Sequence, residues 1–226
     1  MPRHVTARIR SRAMPPRLSD VIANTARRPA GMVGRLLYGL PTASHPAYGR
    51  VLDALELKAS DRLLEIGCGG GHFLARALER AGSAAGLDHS PDMVDATRKR
   101  NAHAVEAGRL EVREGDVTRL PWPDQHFTAV AMNQVFFWLP APDRALAEIH
   151  RVLRPGGRLA MLNASARRIT KLVMLPYVLG GLRLYTDEEL GAMVRCSGFT
   201  EVMVESRGLA QWCFARRNDE PGWASA

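Results

Sequence analysis

The chain has 226 residues, enough for one well-buried α/β domain and too few for two ordinary ones. Its 46% hydrophobic and 24% charged content is that of a globular protein, and no run of 18 apolar residues is present to form a membrane span. The net charge of +8 suggests a polyanion partner until it is located: residues 1–35 hold eight arginines against Asp20, and the rest is nearly neutral, with 23 basic and 22 acidic residues.

Residues 1–30, with three early prolines and little apolar content, read as a basic, mobile tail. The tail could touch anionic polymers or membranes, or be a solvated extension ahead of a start at Met14. No apolar run follows its arginines, so a secretory signal is not expected. An organelle transit peptide would also be Arg-rich and acid-poor, but 28 Arg to 3 Lys and abundant Ala have the look of a GC-rich bacterial genome. Cys68, Cys196 and Cys213 are widely separated and odd in number, which argues against a disulfide framework or a zinc site. A cytoplasmic setting is expected.

Past the tail, Met32 to Leu57 has a helical pattern interrupted by Pro41 and Pro46. From there short β-rich runs alternate with helical ones, the pattern of βα units around a parallel sheet. Arg62–Ile66 reads as a buried strand, Gly67–Gly71 as a glycine loop, and His72–Ala81 as a helix with Phe73, Leu74, Ala77 and Leu78 on one face. A second strand, Ala84–Leu87, leads to a helix that Ser90 caps and Pro91 opens. Leu110–Arg113 and Phe127–Met132 are the third and fourth strands. The helix Arg144–Leu153 ends at Arg154-Pro155-Gly156-Gly157, expected as a turn because proline cannot continue a helix. Arg158–Leu162 is the fifth strand. Thr186 and Glu189 have capping-box spacing and open a helix ending near Gly198. Glu201–Glu205 and Gln211–Ala215 form a closing hairpin. The expectation is one domain over 31–217, with an irregular insertion at 163–185 and a short tail at 218–226.

The glycine loop follows a strand and precedes a helix, where glycines let a ligand approach the backbone and helix N–H groups remain free for an anion. The dinucleotide fingerprint does not fit: a frame starting at Gly67 ends on His72, and one starting at Gly69 ends on Leu74. The P-loop lysine is absent as well. Two acids strengthen the signal. Asp88 ends the second strand, 21 residues beyond Gly67, where a carboxylate can accept from both hydroxyls of a ribose. Asp116 ends the third strand and could accept from an exocyclic adenine amine. Together they point to a nucleoside ligand. Met93, in the first turn after Asp88, suits either packing on the base or the core.

These segments resemble a known family. Glu65-x-Gly67-Cys68-Gly69-x-Gly71, Gly86-Leu87-Asp88-x-Ser90-x-x-Met93 and Gly115-Asp116 look like the motifs of class I S-adenosylmethionine (SAM)-dependent methyltransferases. Leu120-Pro121-Trp122-Pro123-Asp124, Phe127 and the run Glu148–Gly157 are similar to their small-molecule, UbiE-like branch. The resemblance covers about residues 50–200. It implies a Rossmann-like three-layer sandwich whose seven-stranded, mostly parallel sheet has the order 3-2-1-4-5-7-6, with the seventh strand antiparallel. It also implies one SAM held by Glu65, Gly67, Cys68, Gly69, Gly71, Asp88, His89, Met93, Asp116, Val117 and Asn133. The chain departs from the family pattern at Gln125, His126 and Thr128, which leaves cofactor binding untouched and suggests an unusual acceptor side.

In the resembling family, the stretch after the fourth strand faces the transferred methyl group. Here it reads Asn133-Gln134-Val135-Phe136-Phe137-Trp138, without the N/D-P-P-Y/F motif of enzymes that methylate exocyclic or amide nitrogens. Gln134, Phe137 and Trp138 could shape an apolar pocket with one polar handle, joined by Tyr177 from the insertion; Phe136 reads as core. His45, in a segment that often folds over SAM in the family, and Gln134 are the candidates for a catalytic role. The remaining histidines show no metal-ligand spacing, and no metal is implied. The expected partner is a small-molecule acceptor rather than a nucleic acid, with an RNA- or ribosome-modifying methyltransferase, or a SAM-binding protein without transferase activity, as the alternatives. The apolar stretch Leu172–Leu182 could alternatively lie on a membrane surface.

Overall fold

The computed structural model describes residues 45–165 and 182–218. The expected basic tail, most of the 163–185 insertion and most of the C-terminal tail lie outside the described residues.

Helix α1 (His45–Leu55) is followed by β1 (Arg62–Ile66), α2 (His72–Ala77), β2 (Ser83–Asp88), α3 (Pro91–Arg100), α4 (Ala102–Glu106), β3 (Leu110–Glu114) and β4 (Phe127–Asn133). A 3₁₀ turn (Phe136–Trp138), α5 (Pro142–Val152), β5 (Leu153–Ala164), α6 (Asp187–Cys196), β6 (Phe199–Arg207) and β7 (Ala210–Arg217) complete the chain. The strands form one sheet in the order β3-β2-β1-β4-β5-β7-β6. Pairing is parallel from β3 to β5, and β7 runs antiparallel to both β5 and β6. The expected order and the reversed seventh strand are both observed.

Alternation along the strands splits the core into two layers, because successive side chains of a strand point to opposite faces. Leu64, Ile66, Val130, Met132, Leu159 and Met161 meet Ala145, Leu146 and Ile149 of α5 and Leu190 and Val194 of α6. On the other face, Leu63, Ala129, Ala131, Ala160 and Leu162 meet Val51, Leu52 and Leu55 of α1, Phe73 and Leu74 of α2, and Val94 of α3. Burial on both faces is why the central strands read as nearly continuous apolar runs. No helix among the described residues is long and apolar enough to cross a membrane.

Three local features differ from expectation. The Arg154–Gly157 segment is not a free turn: Leu153 pairs with Phe127 and Arg158 with Ala129, so four residues bulge out of β5 opposite Thr128. Ladder pairing on either side outweighs the interruption, and Gly156 takes up the reversal with φ 69°. Helix α2 stops at Ala77, four residues early, and Leu78 to Arg80 continue as turns. A short α4 follows α3 because the Asn101 amide donates to the carbonyls of Thr97 and Gly71 and breaks the helix there. The caps divide. Thr186 and Glu189 form a full capping box, whereas Ser90 holds the N-cap position without a side-chain cap bond.

The Glu148–Gly157 run serves the structure. Glu148 Oε2 accepts from the Leu120 N–H at 2.7 Å, and Arg151 donates to the carbonyls of Trp122 and Leu120 and to Glu148 and Asp124. Hydrogen bonds from Arg151 hold the Glu148 carboxyl below its usual range. Together the two side chains pin the Leu120–Asp124 segment to α5. Arg151→Met keeps the aliphatic stem but leaves several carbonyls unpaired. It is expected to cost about 2–3 kcal/mol of stability in urea titration, at the charged-hydrogen-bond level.

Candidate functional site

The carboxyl ends of β1, β2 and β4 carry the glycine loop. Gly67, Gly69 and Gly71 all have positive φ, at 70°, 51° and 75°. Gly67 must be glycine for a second reason: an added Cβ would lie 2.2 Å from Val135 Cγ2. Gly69 differs, since an added Cβ there meets nothing within 4 Å. The loop is fixed from behind by α3. Thr97 Oγ1 donates to the Gly69 carbonyl at 2.6 Å, Arg100 Nε to Gly70 at 2.6 Å, and Asn101 Nδ2 to Gly71 at 3.2 Å. Because a trans peptide sets N–H opposite C=O, the bond to the Gly69 carbonyl turns the Gly70 N–H away from the helix. The loop therefore presents an open backbone edge of the kind an anionic or polar ligand uses.

Asp88, 6% exposed, closes this loop from the β2 side. Its Oδ2 accepts from the Gly69 N–H at 2.9 Å and its Oδ1 from the Ser90 N–H at 3.0 Å. His89 Nδ1 lies 3.6 Å from Asp88 Oδ1 with its ring partly exposed. Met93 is 1% exposed and Val117 is 7% exposed, both within the packed interior. Asp116 sits two residues beyond the end of β3 rather than at it. It is exposed, and its Oδ1 accepts from the backbone and hydroxyl of Thr118. Cys68 is buried, and burial pushes its thiol up, away from the reactive thiolate form.

Glu65 and Asn133 face each other across β1 and β4. Asn133 Nδ2 donates to Glu65 Oε1 at 3.0 Å, while Glu65 Oε2 and Asn133 Oδ1 are both buried without a hydrogen-bond partner. Burial pushes the Glu65 carboxyl up to about 8; the Asn133 bond opposes this and the Asp88 charge adds to it. While protonated, Glu65 can itself donate from Oε2; once it ionises, Oε2 and Asn133 Oδ1 are both acceptors, which a donor-rich, positively charged group would satisfy.

On the acceptor side, Gln134 has φ 59°, a left-handed backbone uncommon for a residue with a Cβ. Its N–H donates to the Leu162 carbonyl at 2.7 Å, which ties the turn after β4 to β5. Phe136 is fully buried, as expected. Phe137 is 6% exposed and its ring lies 5.8 Å from the half-buried Trp138. Arg183 N donates to the Phe137 carbonyl. The other two candidates cannot be placed: Tyr177 lies outside the described residues, as does the side chain of His45. Gln125, His126 and Thr128 correct an expectation. They cluster at the amino end of β4, where Thr128 Oγ1 accepts from the Arg62 N–H at 3.0 Å, and so bear on strand pairing rather than on the acceptor.

The ubiquinone/menaquinone biosynthesis C-methyltransferase UbiE of Dinoroseobacter shibae is 31% identical over 179 residues, covering 67% of this chain and 71% of that one. The chain belongs to the class I SAM-dependent methyltransferases. Residues 64–161 of the chain match the family described as methyltransferase domain. The malonyl-[acyl-carrier protein] O-methyltransferase of Methylococcus capsulatus is 32% identical over 155 residues, 66% of this chain and 55% of that one. Several curated relatives are matched over about half of their own length or less. Among solved structures, the [4+2]-cyclase SpnF superposes with a TM-score of 0.68 at 22% identity over 79% of this chain and 83% of its own, a likeness of fold.

Parts of the candidate site were out of reach of sequence reasoning. Thr97, Arg100 and Asn101, which fix the loop carbonyls, look like ordinary residues of a polar helix. The pairing of Glu65 with Asn133 joins residues 68 apart. Among the described residues, no cluster of His, Cys, Asp or Glu could hold a metal ion.

Proposed function

We propose that this chain transfers the methyl group of SAM to a small, largely apolar acceptor and releases S-adenosylhomocysteine (SAH). The observation that carries this reading is the convergence at the sheet's carboxyl ends of an open Gly69, the Asp88 carboxylate behind it, and the buried Glu65 Oε2 and Asn133 Oδ1 that lack hydrogen-bond partners. Asp88 would accept the ribose hydroxyls, and Asp116 with Val117 would flank the adenine. Glu65 and Asn133 would receive the ammonium of the amino-acid moiety. When bound, SAM supplies a methyl group already made electrophilic by its sulfonium.

What remains for the chain is alignment, and orientation of this kind can contribute about 7–11 kcal/mol to a barrier. In this reading the left-handed Gln134 turn and the Phe137–Trp138 pair would line the approach of the acceptor. An amide takes up no proton at neutral pH, so Gln134 would orient the acceptor rather than act as its base. The near-neutral body and the absence of an N/D-P-P-Y/F motif after β4 favour a small molecule over a polynucleotide. Relatives named for ubiquinone/menaquinone biosynthesis point the same way.

The same fold serves the [4+2]-cyclase SpnF, so the fold alone does not establish transfer. The direct measurement is labelled methyl from SAM incubated with a cell lysate and partitioned into RNA, protein and organic-soluble fractions. Label is expected in the organic fraction; label in RNA alone would overturn the acceptor class. Trp138→Ala removes part of the acceptor wall and is expected to lower transfer about tenfold, with SAH affinity within threefold of the parent.

A further inference from the structure

Three consecutive carbonyls of the glycine loop, those of Gly69, Gly70 and Gly71, are held from one side by Thr97 and Arg100 of α3 and Asn101 at its end. Thr97 is the most telling of the three. It is 0% exposed, and a valine would fill the same space without a polar atom to satisfy. A threonine inside a helix commonly returns its hydroxyl to the carbonyl one turn back. Here Oγ1 instead reaches a carbonyl 28 residues away in the chain, that of Gly69, at 2.6 Å. The fit of helix to loop is close: a Cβ added at Gly71 would lie 2.9 Å from Thr97 Cγ2 and 2.6 Å from Asn101 Nδ2.

Glycines bring freedom along with close approach. The peptide between Gly69 and Gly70 can turn over by changing only the ψ of Gly69 and the φ of Gly70, and neither residue has a Cβ to oppose the turn. Its two orientations differ in what faces the ligand, an N–H in one and a carbonyl in the other. The N–H groups on either side are engaged, that of Gly69 with Asp88 Oδ2 at 2.9 Å and that of Gly71 with the Cys68 carbonyl at 2.9 Å. The Gly70 N–H meets no acceptor among the described residues, and it points opposite to the carbonyl that Thr97 holds. Space beside it is open, since a Cβ added at Gly69 meets nothing within 4 Å.

We propose that Thr97 is a positioning residue for the cofactor: its hydroxyl locks the Gly69–Gly70 peptide with the N–H outward, while Arg100 and Asn101 hold the next two carbonyls. The proposal rests on the SAM reading above and deepens it by assigning the lock to one half of the ligand. The outward N–H is a donor for the carboxylate of the amino-acid moiety. Once released, the peptide can turn its carbonyl toward that carboxylate, and an attraction becomes a repulsion. The ribose contact is made by Asp88 and does not involve this peptide.

Two ligands separate positioning from packing: SAH, and 5′-methylthioadenosine, which keeps the nucleoside and lacks the amino-acid moiety. In titration calorimetry of the full chain, Thr97→Val should bind SAH about tenfold more weakly than the parent and methylthioadenosine within about threefold. Thr97→Ser restores the donor and should bring SAH affinity back to within about threefold of the parent. A valine variant that weakens both ligands equally shows that Thr97 serves only the packing of the loop and overturns the proposal. Parent affinities in the valine variant, or a serine variant as weak as the valine one, overturn it as well. Should Thr97→Val not fold, Arg100→Met at the exposed end of α3 enters the same comparison. There a loss of about threefold confined to SAH is expected, and an equal loss for both ligands, or none, overturns the proposal. A parent that binds neither ligand overturns the cofactor reading together with this inference, which sets that failure apart from one seen only in the variants.

Discussion

Asp88→Ala is expected to weaken SAH binding at least about a hundredfold, or about 2.7 kcal/mol. Two losses add up to this. A carboxylate shared by two ribose hydroxyls contributes charge-assisted hydrogen bonds of about 1.5–3 kcal/mol. The same carboxylate also latches the loop, through Gly69 N–H at 2.9 Å and Ser90 N–H at 3.0 Å, in a site only 6% exposed. Without it both N–H groups lose their acceptor, and the loop edge that meets the ligand loosens. Asp88→Asn separates the two effects. Its one remaining amide oxygen can keep one latch but cannot serve both N–H groups and a ribose. Its affinity should fall between the parent and the alanine variant, with a smaller drop in melting temperature. Titration calorimetry with SAH measures the first effect and thermal melting of the free protein the second. An alanine variant within threefold of the parent would remove Asp88 from the site.

What could be read from the sequence divides along the range of the interactions involved. The strands were visible because both faces of the sheet are covered, which makes Leu63, Leu64 and Ile66 in one strand and Phe127 with Ala129 to Met132 in another nearly continuous apolar runs. The glycine loop and Asp88 were visible because backbone strain and strand position restrict residue type within a few places. Interactions across the sheet left no such mark. The bulge at Arg154–Gly157 is a turn by every local rule, and only the pairing of Leu153 with Phe127 absorbs it into β5. Asn101 looks like a helix residue until its amide reaches the Gly71 carbonyl 30 residues away. Asn163 and Ala164 read as the start of an irregular segment, yet β5 runs on through both, in a register with Gln211 and Ala210 that no local pattern encodes. The departures at Gln125, His126 and Thr128 show the converse. They are plain in the sequence, but their place at the amino end of β4 removes them from the acceptor question.

Binding of SAH at pH 7 is expected to release close to one proton, and the source is Glu65. In the free protein its carboxyl is pushed up to about 8, chiefly by burial and further by the Asp88 charge, so at pH 7 it is mostly protonated. An ammonium placed between Glu65 Oε2 and Asn133 Oδ1 favours the carboxylate and draws the carboxyl back down. Linkage then sets the sign: affinity should climb with pH by up to about tenfold per unit between the bound and free values, and level off above about 8. The same shift acts on folding in the opposite sense. A carboxyl raised in the folded state contributes stability that is fully present below its ordinary value near 4.5, and that stability is lost as pH rises through about 8. The free protein should therefore become less stable over the range in which SAH binds more tightly. Calorimetric titration in phosphate and in Tris, whose ionisation enthalpies differ widely, reads the proton directly as a buffer-dependent heat. Glu65→Gln should abolish that dependence and flatten the pH profile, because an amide keeps the shape and the Asn133 contact but cannot ionise. A parent protein whose binding heat is the same in both buffers would show that Glu65 keeps its proton in the complex, and that the ammonium is held elsewhere.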